Sequence, residues 1–377
     1  MSDPIYLDHN ATTPLLPEVV DAMLPYLREH FGNPSSGHVY GTRARSAVAR
    51  ARDQVAALLG CEADEIVFTS GGTEANNLAI RGAAEALSGR SHVVTSVIEH
   101  PATARPCAWL GEHGRRVSRL GVDAAGCVRV DEAREAMDAD TALVTVMHSN
   151  NETGALQPIR ELAALAHAAG ALVHTDAAQS LGKLAVNVRA LEVDLLSVAG
   201  HKLYAPKGVG ALYVRRGTPL VPLVLGASHE RGLRPGTENV ASIVGLGAAC
   251  EVLGRDLDAA ASRMRGLRDA LWERLAADVP GLRLNGHREL RLPNTLNIRF
   301  PEASGDAVLA GAPEIAAATG SACHEGQQTA SAVILAMGVA PEDALGSVRL
   351  SLGRSTTQGD VARAAEALVR SWSRAVT

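Results

Sequence analysis

Three short stretches of this chain carry residue types able to do covalent or phosphate chemistry. The first is Gly200-His201-Lys202, directly after the apolar run Leu195–Val198. Such a run is the pattern of a buried strand. Lysine is seldom fully buried, so Lys202 is expected to project into whatever crevice the strand opens onto. A partly desolvated amine loses its proton more readily and can condense with an aldehyde. On its own, the tripeptide fits an ordinary surface lysine better. The second stretch runs from Thr319 to Ser331, where Cys323 sits among small and polar residues with His324 beside it. An exposed thiol near positive charge is a nucleophile, while a lone loop cysteine is more often a bystander. The third is Gly71-Gly72-Thr73-Glu74, between the β-branched run Ile66–Ser70 and a helical pattern from Ala75 to Leu87. Glycine lets backbone approach a ligand, and the free N–H groups of a helix start favour an anion. A phosphate seat at Gly72 and Thr73 fits, and so does an ordinary helix cap by Thr73.

The elements that must position these groups read as alternating strands and helices. Strand patterns end at His100, before Asn151, at Asp176 with Gln179 beyond, and before Lys202. Alternation of this kind predicts an α/β fold, a mostly parallel sheet with helices on both faces. In such sheets ligands bind outside the carboxyl ends of the strands. Five polar residues in one topological position predict a shared site. The chain changes character after Arg215, with a polar loop from Gly226 to Asn239 that is either solvated or reaches a phosphate or a partner subunit. A long amphipathic pattern, Leu257 to Leu275, then opens a smaller α+β part. Its strands are expected near Leu292–Phe300 and Ser347–Leu352, with Asp360 capping a last helix through Trp372. The predicted domains are 16–255, large, and 1–15 with 256–377, small and carrying Cys323.

Composition narrows the options. The chain has 377 residues, 46% hydrophobic and 20% charged, with a formal net charge of -5 and a pI near 6.2. Nothing there points to nucleic acid or a membrane surface. Met1-Ser2-Asp3-Pro4 does not read as a secretory leader, so the cytoplasm is the expected location. The five cysteines are scattered and form no Cys-x-x-Cys pair. No disulfide framework or metal site is therefore expected.

A condensing lysine, an aspartate on a neighbouring strand end and a phosphate seat together describe a pyridoxal 5′-phosphate (PLP) site, whose cofactor needs those three partners. The chain strongly resembles the cysteine desulfurases and selenocysteine lyases, a branch of the class V, fold-type I PLP enzymes. The resemblance runs nearly end to end. It is carried by Tyr6–Pro14, Gly32–Ser36, Thr69–Asn77, Asn150–Gly154, His174–Gln179, Gly200–Lys202, Arg234–Asn239, Gly320–Cys323 and Ser351–Ser355. It implies a large domain around a mostly parallel seven-stranded sheet plus the smaller domain.

It also implies roles. Lys202 would hold the cofactor covalently and shuttle a proton. Asp176 would pair with the pyridine nitrogen, His100 would stack on the ring, and Gln179 and Asn151 would contact the ring oxygen. Gly72, Thr73 and His201 would hold the phosphate, and Thr237 would reach a phosphate across a homodimer interface. Arg354 would clamp the substrate carboxylate, and Asn151 and Asn10 would also contact the substrate. Cys323 would take sulfur from L-cysteine, or selenium from L-selenocysteine, leaving alanine and a persulfide or its selenium counterpart for an acceptor protein. Two departures separate this chain from many desulfurases. Ala199 stands where a serine often precedes Gly-His-Lys, and His324-Glu325-Gly326 follows the cysteine. Both lie closer to the lyase type and leave the sulfur-or-selenium preference open. Another class V chemistry, a C–S lyase or an aminotransferase, is the further alternative.

Overall fold

The structure is a computed structural model and describes residues 3–319 and 329–377. In chain order the strands are β1 (Ile5–Tyr6), β2 (Ile66–Thr69), β3 (His92–Ser96), β4 (Arg116–Leu120), β5 (Thr141–Thr145), β6 (Leu172–Asp176), β7 (Leu195–Ala199), β8 (Gly210–Val214), β9 (Arg283–Asn285), β10 (Thr295–Arg299), β11 (Ile315–Ala316) and β12 (Ser347–Ser351). Seven of them form one sheet in the order β2-β8-β7-β6-β5-β3-β4. Only β8 runs against its neighbours. The expected mostly parallel seven-stranded sheet is therefore present, and every residue of β2, β3, β5, β7 and β8 is buried. Helices on both faces explain why these strands read as near-continuous apolar runs rather than alternating ones.

Strand β4 has no counterpart in the sequence reading. It is an edge strand with Arg116 and Arg119 exposed, and edge strands are blunted by such charges, which erases the apolar signal. Inside the sheet one polar ladder is fully satisfied. Thr145 Oγ1 meets His174 Nδ1 at 2.8 Å, and His174 Nε2 meets Ser197 Oγ at 2.9 Å, joining β5, β6 and β7. Complete burial pushes the His174 imidazole down to about 4, so it is neutral.

The remaining strands form β12-β10-β9, antiparallel, and the parallel pair β1-β11. Helices Leu257–Asp278 and Gln358–Ala375 cover them. Leu7, Leu271, Leu296, Leu350 and Leu368 belong to this second core. Segment 331–344 does not join it: Val333, Ile334, Met337 and Ala344 pack into the core of the large sheet. The last helix is capped by Thr357, with Asp360 reaching back to the Thr357 N–H from the third helical position. The expectation of Asp360 as the cap itself is corrected accordingly. A hydroxyl three residues before the acid forms a capping box, and the pair starts the helix.

The polar loop after Arg215 is held to the large sheet by a buried ion pair. Glu230 accepts from Arg52 Nη1 at 2.7 Å, Arg52 Nη2 at 2.5 Å and the Phe68 N–H at 2.8 Å. Its side chain is only 3% exposed, so removing it strands the Arg52 guanidinium. Glu230→Ala should cost about 3–5 kcal/mol, read as a lowered urea midpoint with an unchanged slope.

Candidate active site

The carboxyl ends of β2, β3, β5, β6 and β7 open onto one cleft. Gly72, Thr73, His100, Asn151, Asp176, Gln179, His201 and Lys202 all line it. Eight of the expected site residues thus meet in one place. Lys202 lies in a short turn directly after β7. Its Nζ donates to the Asn10 carbonyl at 2.5 Å. Burial, and then the Arg349 guanidinium, lower the amine to about 8, opposed by Asp176 and Asp8. That is the state condensation requires, a lysine with an accessible neutral form near physiological pH.

The chain's N-terminal segment fixes that turn. The Thr13 N–H and hydroxyl both donate to the His201 carbonyl, at 2.9 and 3.0 Å, and the Tyr204 N–H donates back to Thr13 Oγ1 at 2.8 Å. Tyr204 holds a left-handed backbone, φ 59, a strained state that this surrounding network maintains. The His201 ring meets Thr12 Oγ1 at 3.2 Å, and burial with the nearby Lys202 lowers it to about 4.

Asp176 ends β6. Its Oδ2 accepts from Asn76 Nδ2 at 2.7 Å and its Oδ1 from the Ala178 N–H at 2.9 Å. Asn76 Oδ1 is buried without a partner. His100 caps the helix Pro101–Glu112, its Nδ1 accepting from the Ala102 N–H at 3.1 Å. Burial lowers its pKa. With Nδ1 accepting, the neutral ring carries its proton on Nε2. The helix Gly72–Ala86 starts at the cleft after Gly71, φ 154. Thr73 is therefore the second residue inside the helix, and the cap reading for it is withdrawn; Glu74 closes the turn instead, accepting from the Ser70 N–H at 2.7 Å. The Gly72 and Thr73 N–H groups have no intrahelical acceptor. A Cβ at Gly72 would stand 3.1 Å from the Ala199 methyl, so backbone and small side chains form this wall.

This donor set fits PLP. The lysine, the buried carboxylate, the helix start for a phosphate and a wall without bulky side chains are each present at the same cleft.

Asn10, Thr237 and Arg354 are not among the residues that line the cleft. Asn10 contributes its carbonyl, not its amide. Its Nδ2 donates to the Asn151 carbonyl and Thr295 Oγ1, and its Oδ1 accepts from Lys183 Nζ and Asn294 Nδ2. Both donors and both acceptor directions of that amide are thus used within the protein. Asn151 keeps its side-chain amide unbonded among the described residues, while its carbonyl accepts from Arg349 Nη1 at 3.1 Å. Arg354 follows β12 and pairs with Asp256 at 2.5 Å, its Nη1 buried without a partner. Thr237 is exposed and does not line this chain's cleft. Cys323 lies outside the described residues.

Lys183 and Arg349 were missed in the sequence. Lys183 is 4% exposed and bonds Gln179 Oε1 at 3.1 Å. Its signal was available, a single cation four residues after Gln179 in an otherwise small and apolar run. The four described thiols, Cys61, Cys107, Cys127 and Cys250, are unpaired, and burial raises them to about 12, 12, 11 and 12. None is an activated nucleophile.

A model of the aminotransferase class-V family matches residues 5–364. A cysteine desulfurase of Gluconacetobacter diazotrophicus is 48% identical over 363 residues, covering 95% of this chain and 91% of that one. Among solved structures, a NifS-like protein superimposes with a TM-score of 0.91 at 35% identity, over 97% of this chain and 98% of that one. Another, described as SspA in complex with cysteine, gives 0.82 at 35% identity, over 93% and 99%. Family members of this kind use PLP. The end-to-end match, together with a lysine, aspartate and helix-start cleft at the carboxyl edge of the sheet, makes this chain a member of the class-V aminotransferase family, in its cysteine desulfurase group.

Proposed function

We propose that this protein is a PLP-dependent cysteine desulfurase, converting L-cysteine to L-alanine and passing the sulfur to a protein acceptor. The observation that carries the reading is the Lys202 amine, lowered to about 8 and seated on the Asn10 carbonyl, in the same cleft as Asp176. The bound cofactor supplies an electron sink conjugated to the substrate α-carbon. Around it, Asp176, held in place by Asn76 and the Ala178 N–H, would keep the ring nitrogen protonated. Gly72, Thr73 and His201 would hold the phosphate, and Gln179 and Asn151 would contact the ring oxygen. His100 would stack on the ring with its Nε2 proton available. The Lys202 amine would move a proton to and from the substrate α-carbon.

Arg354 binds the substrate carboxylate as a bidentate fork. Its exchangeable contact with Asp256, 48% exposed, supports this role, and its unpartnered Nη1 adds a donor. The Cys323 thiolate attacks the substrate sulfur. The new S–S bond forms as the substrate C–S bond breaks, its electron pair moves toward the α-carbon framework, and protonation yields alanine. The chain keeps a persulfide on Cys323. The inert state of the other four thiols supports this assignment. The exposure of Thr237, away from its own cleft, supports a homodimer in which it reaches the partner's phosphate. Unpaired thiols accord with a reducing cytoplasm. A second reading, selenocysteine lyase, is supported by Ala199, whose methyl rather than a hydroxyl borders the helix start. Steady-state alanine formation from cysteine and from selenocysteine separates the two.

Two outcomes test the main reading. Cys323→Ser should keep the yellow colour of the loaded enzyme and lose sulfide release from cysteine by at least a hundredfold; full activity in that variant would remove the thiol from the reaction. In cofactor-free protein, the rate at which the amine captures added pyridoxal phosphate should follow its neutral fraction. It should rise about tenfold per pH unit up to about 8 and then level off. An unperturbed lysine would keep climbing to about 10.

A further inference from the structure

The chain contains 33 arginines and only three lysines, Lys183, Lys202 and Lys207. Its surface cations are almost all guanidinium groups. Two of the three ammonium-type side chains nevertheless converge on one residue, Lys202 on the Asn10 carbonyl and Lys183 on its Oδ1. Arginine stays charged at any accessible pH, whereas lysine can be neutral when buried.

Lys183 is 4% exposed and has two partners, Asn10 Oδ1 at 3.3 Å and Gln179 Oε1 at 3.1 Å. Both are neutral amide oxygens, and among the described residues Lys183 forms no ion pair. A neutral amine has two N–H groups, and here each has an acceptor. A charged one would have a third N–H without a partner and no counter-ion. The charged and titratable groups around it repel a further proton. Lys202 stands on the turn after β7 and Arg349 on β12, and His9 from the N-terminal segment also feels it. Asp8 is engaged by Arg349 at 2.8 Å, and Asp176 by Asn76 at 2.7 Å. Burial and the two cations hold the Lys183 amine well below its ordinary range.

The two side-chain amides that Lys183 touches flank the seat of Lys202, one on the same residue as the accepting carbonyl and the other bonded to that carbonyl. Gln179 Nε2 donates to the Asn10 carbonyl at 3.0 Å, the same oxygen that receives Lys202 Nζ at 2.5 Å. Turning either amide over would take the acceptor from one of the two amine N–H groups, and for Gln179 it would also set Oε1 against the Asn10 carbonyl. We propose that Lys183 is a positioning residue that acts as a neutral amine, fixing the orientation of the Gln179 and Asn10 amides and, through the Asn10 carbonyl, the seat of Lys202. It does not touch the reacting atoms.

The inference rests on Lys202 being the cofactor-bearing lysine. A colourless wild-type protein after loading would fail that assignment, whereas an indifferent Lys183 variant in a coloured enzyme would fail this one. The test compares loaded wild type, Lys183→Met and Lys183→Arg by the pH midpoint of the visible absorbance, by kcat and KM, and by thermal midpoint. Lys183→Met should stay coloured, lower kcat about tenfold with KM within threefold, and move the absorbance midpoint by less than half a unit, since no charge is lost. Lys183→Arg should lower that midpoint by more than one unit, since a charge is gained. A Lys183→Met enzyme with wild-type kcat, or one changed only in thermal midpoint, would overturn the positioning role. A midpoint raised by more than a unit in Lys183→Met would overturn the neutral state. Should the arginine variant not fold or load, the methionine variant decides both points.

Discussion

The Lys202 amine is seated on the Asn10 carbonyl, with the Ala11 carbonyl at 3.5 Å, and the rest of the site follows from how that segment is held. The Asn10 oxygen that receives Lys202 belongs to a segment stapled in three directions. Thr13 ties it to the turn that carries Lys202. The Asn10 N–H donates to Ser351 Oγ at 2.9 Å and its amide to Thr295 Oγ1 at 2.9 Å, on the smaller sheet. Asp8 pairs with Arg349, which also holds the Asn151 carbonyl. The contact between the two cores is therefore polar and directional. Hydrophobic burial would bring the two bodies together without fixing an amine to a fraction of an ångström.

The electrostatics have one theme. Buried bases around the cleft are held neutral by desolvation. His9, His148, His174 and His201 all fall to about 4. The carboxyl of Glu99, tied to Ser96 and the Met147 N–H, is pushed the other way to about 8. With those bases neutral, the charges that act on Lys202 are Arg349, Asp176 and Asp8, and in a partly desolvated site they act with less screening than in water. A cofactor that depends on a protonated ring nitrogen gains from that quiet background.

Much of this was legible in the chain. The strand ends at His100, Asn151, Asp176 and Lys202 follow from apolar runs broken by polar residues, and topology alone sends them to one edge. Less visible were features whose cause lies far off in sequence. Asn10 looks like a free polar side chain, yet its amide is consumed by partners on β10, by Asn294 and by Lys183. The helix at Gly72 starts earlier than its apolar period suggests, because the two glycines carry no periodic signal. Segment 331–344 sits beside small-domain strands in sequence and packs on the other core. Strand β4 hid behind its arginines. In each case tertiary contacts, not local propensity, decide the outcome.

The polar ladder Thr145–His174–Ser197 has a further consequence. Side chains alternate faces along a strand, so a slip of β6 by one residue would carry the imidazole to the opposite face and orphan both hydroxyls. Asp176 lies two residues beyond His174 on that strand, and Lys202 follows β7 by three. Misregistered intermediates during folding would bear unpaired buried groups, whereas the native alignment bears none along this row. The alignment that aims the acid and the amine at each other is thus proofread by the sheet itself, before any small molecule arrives.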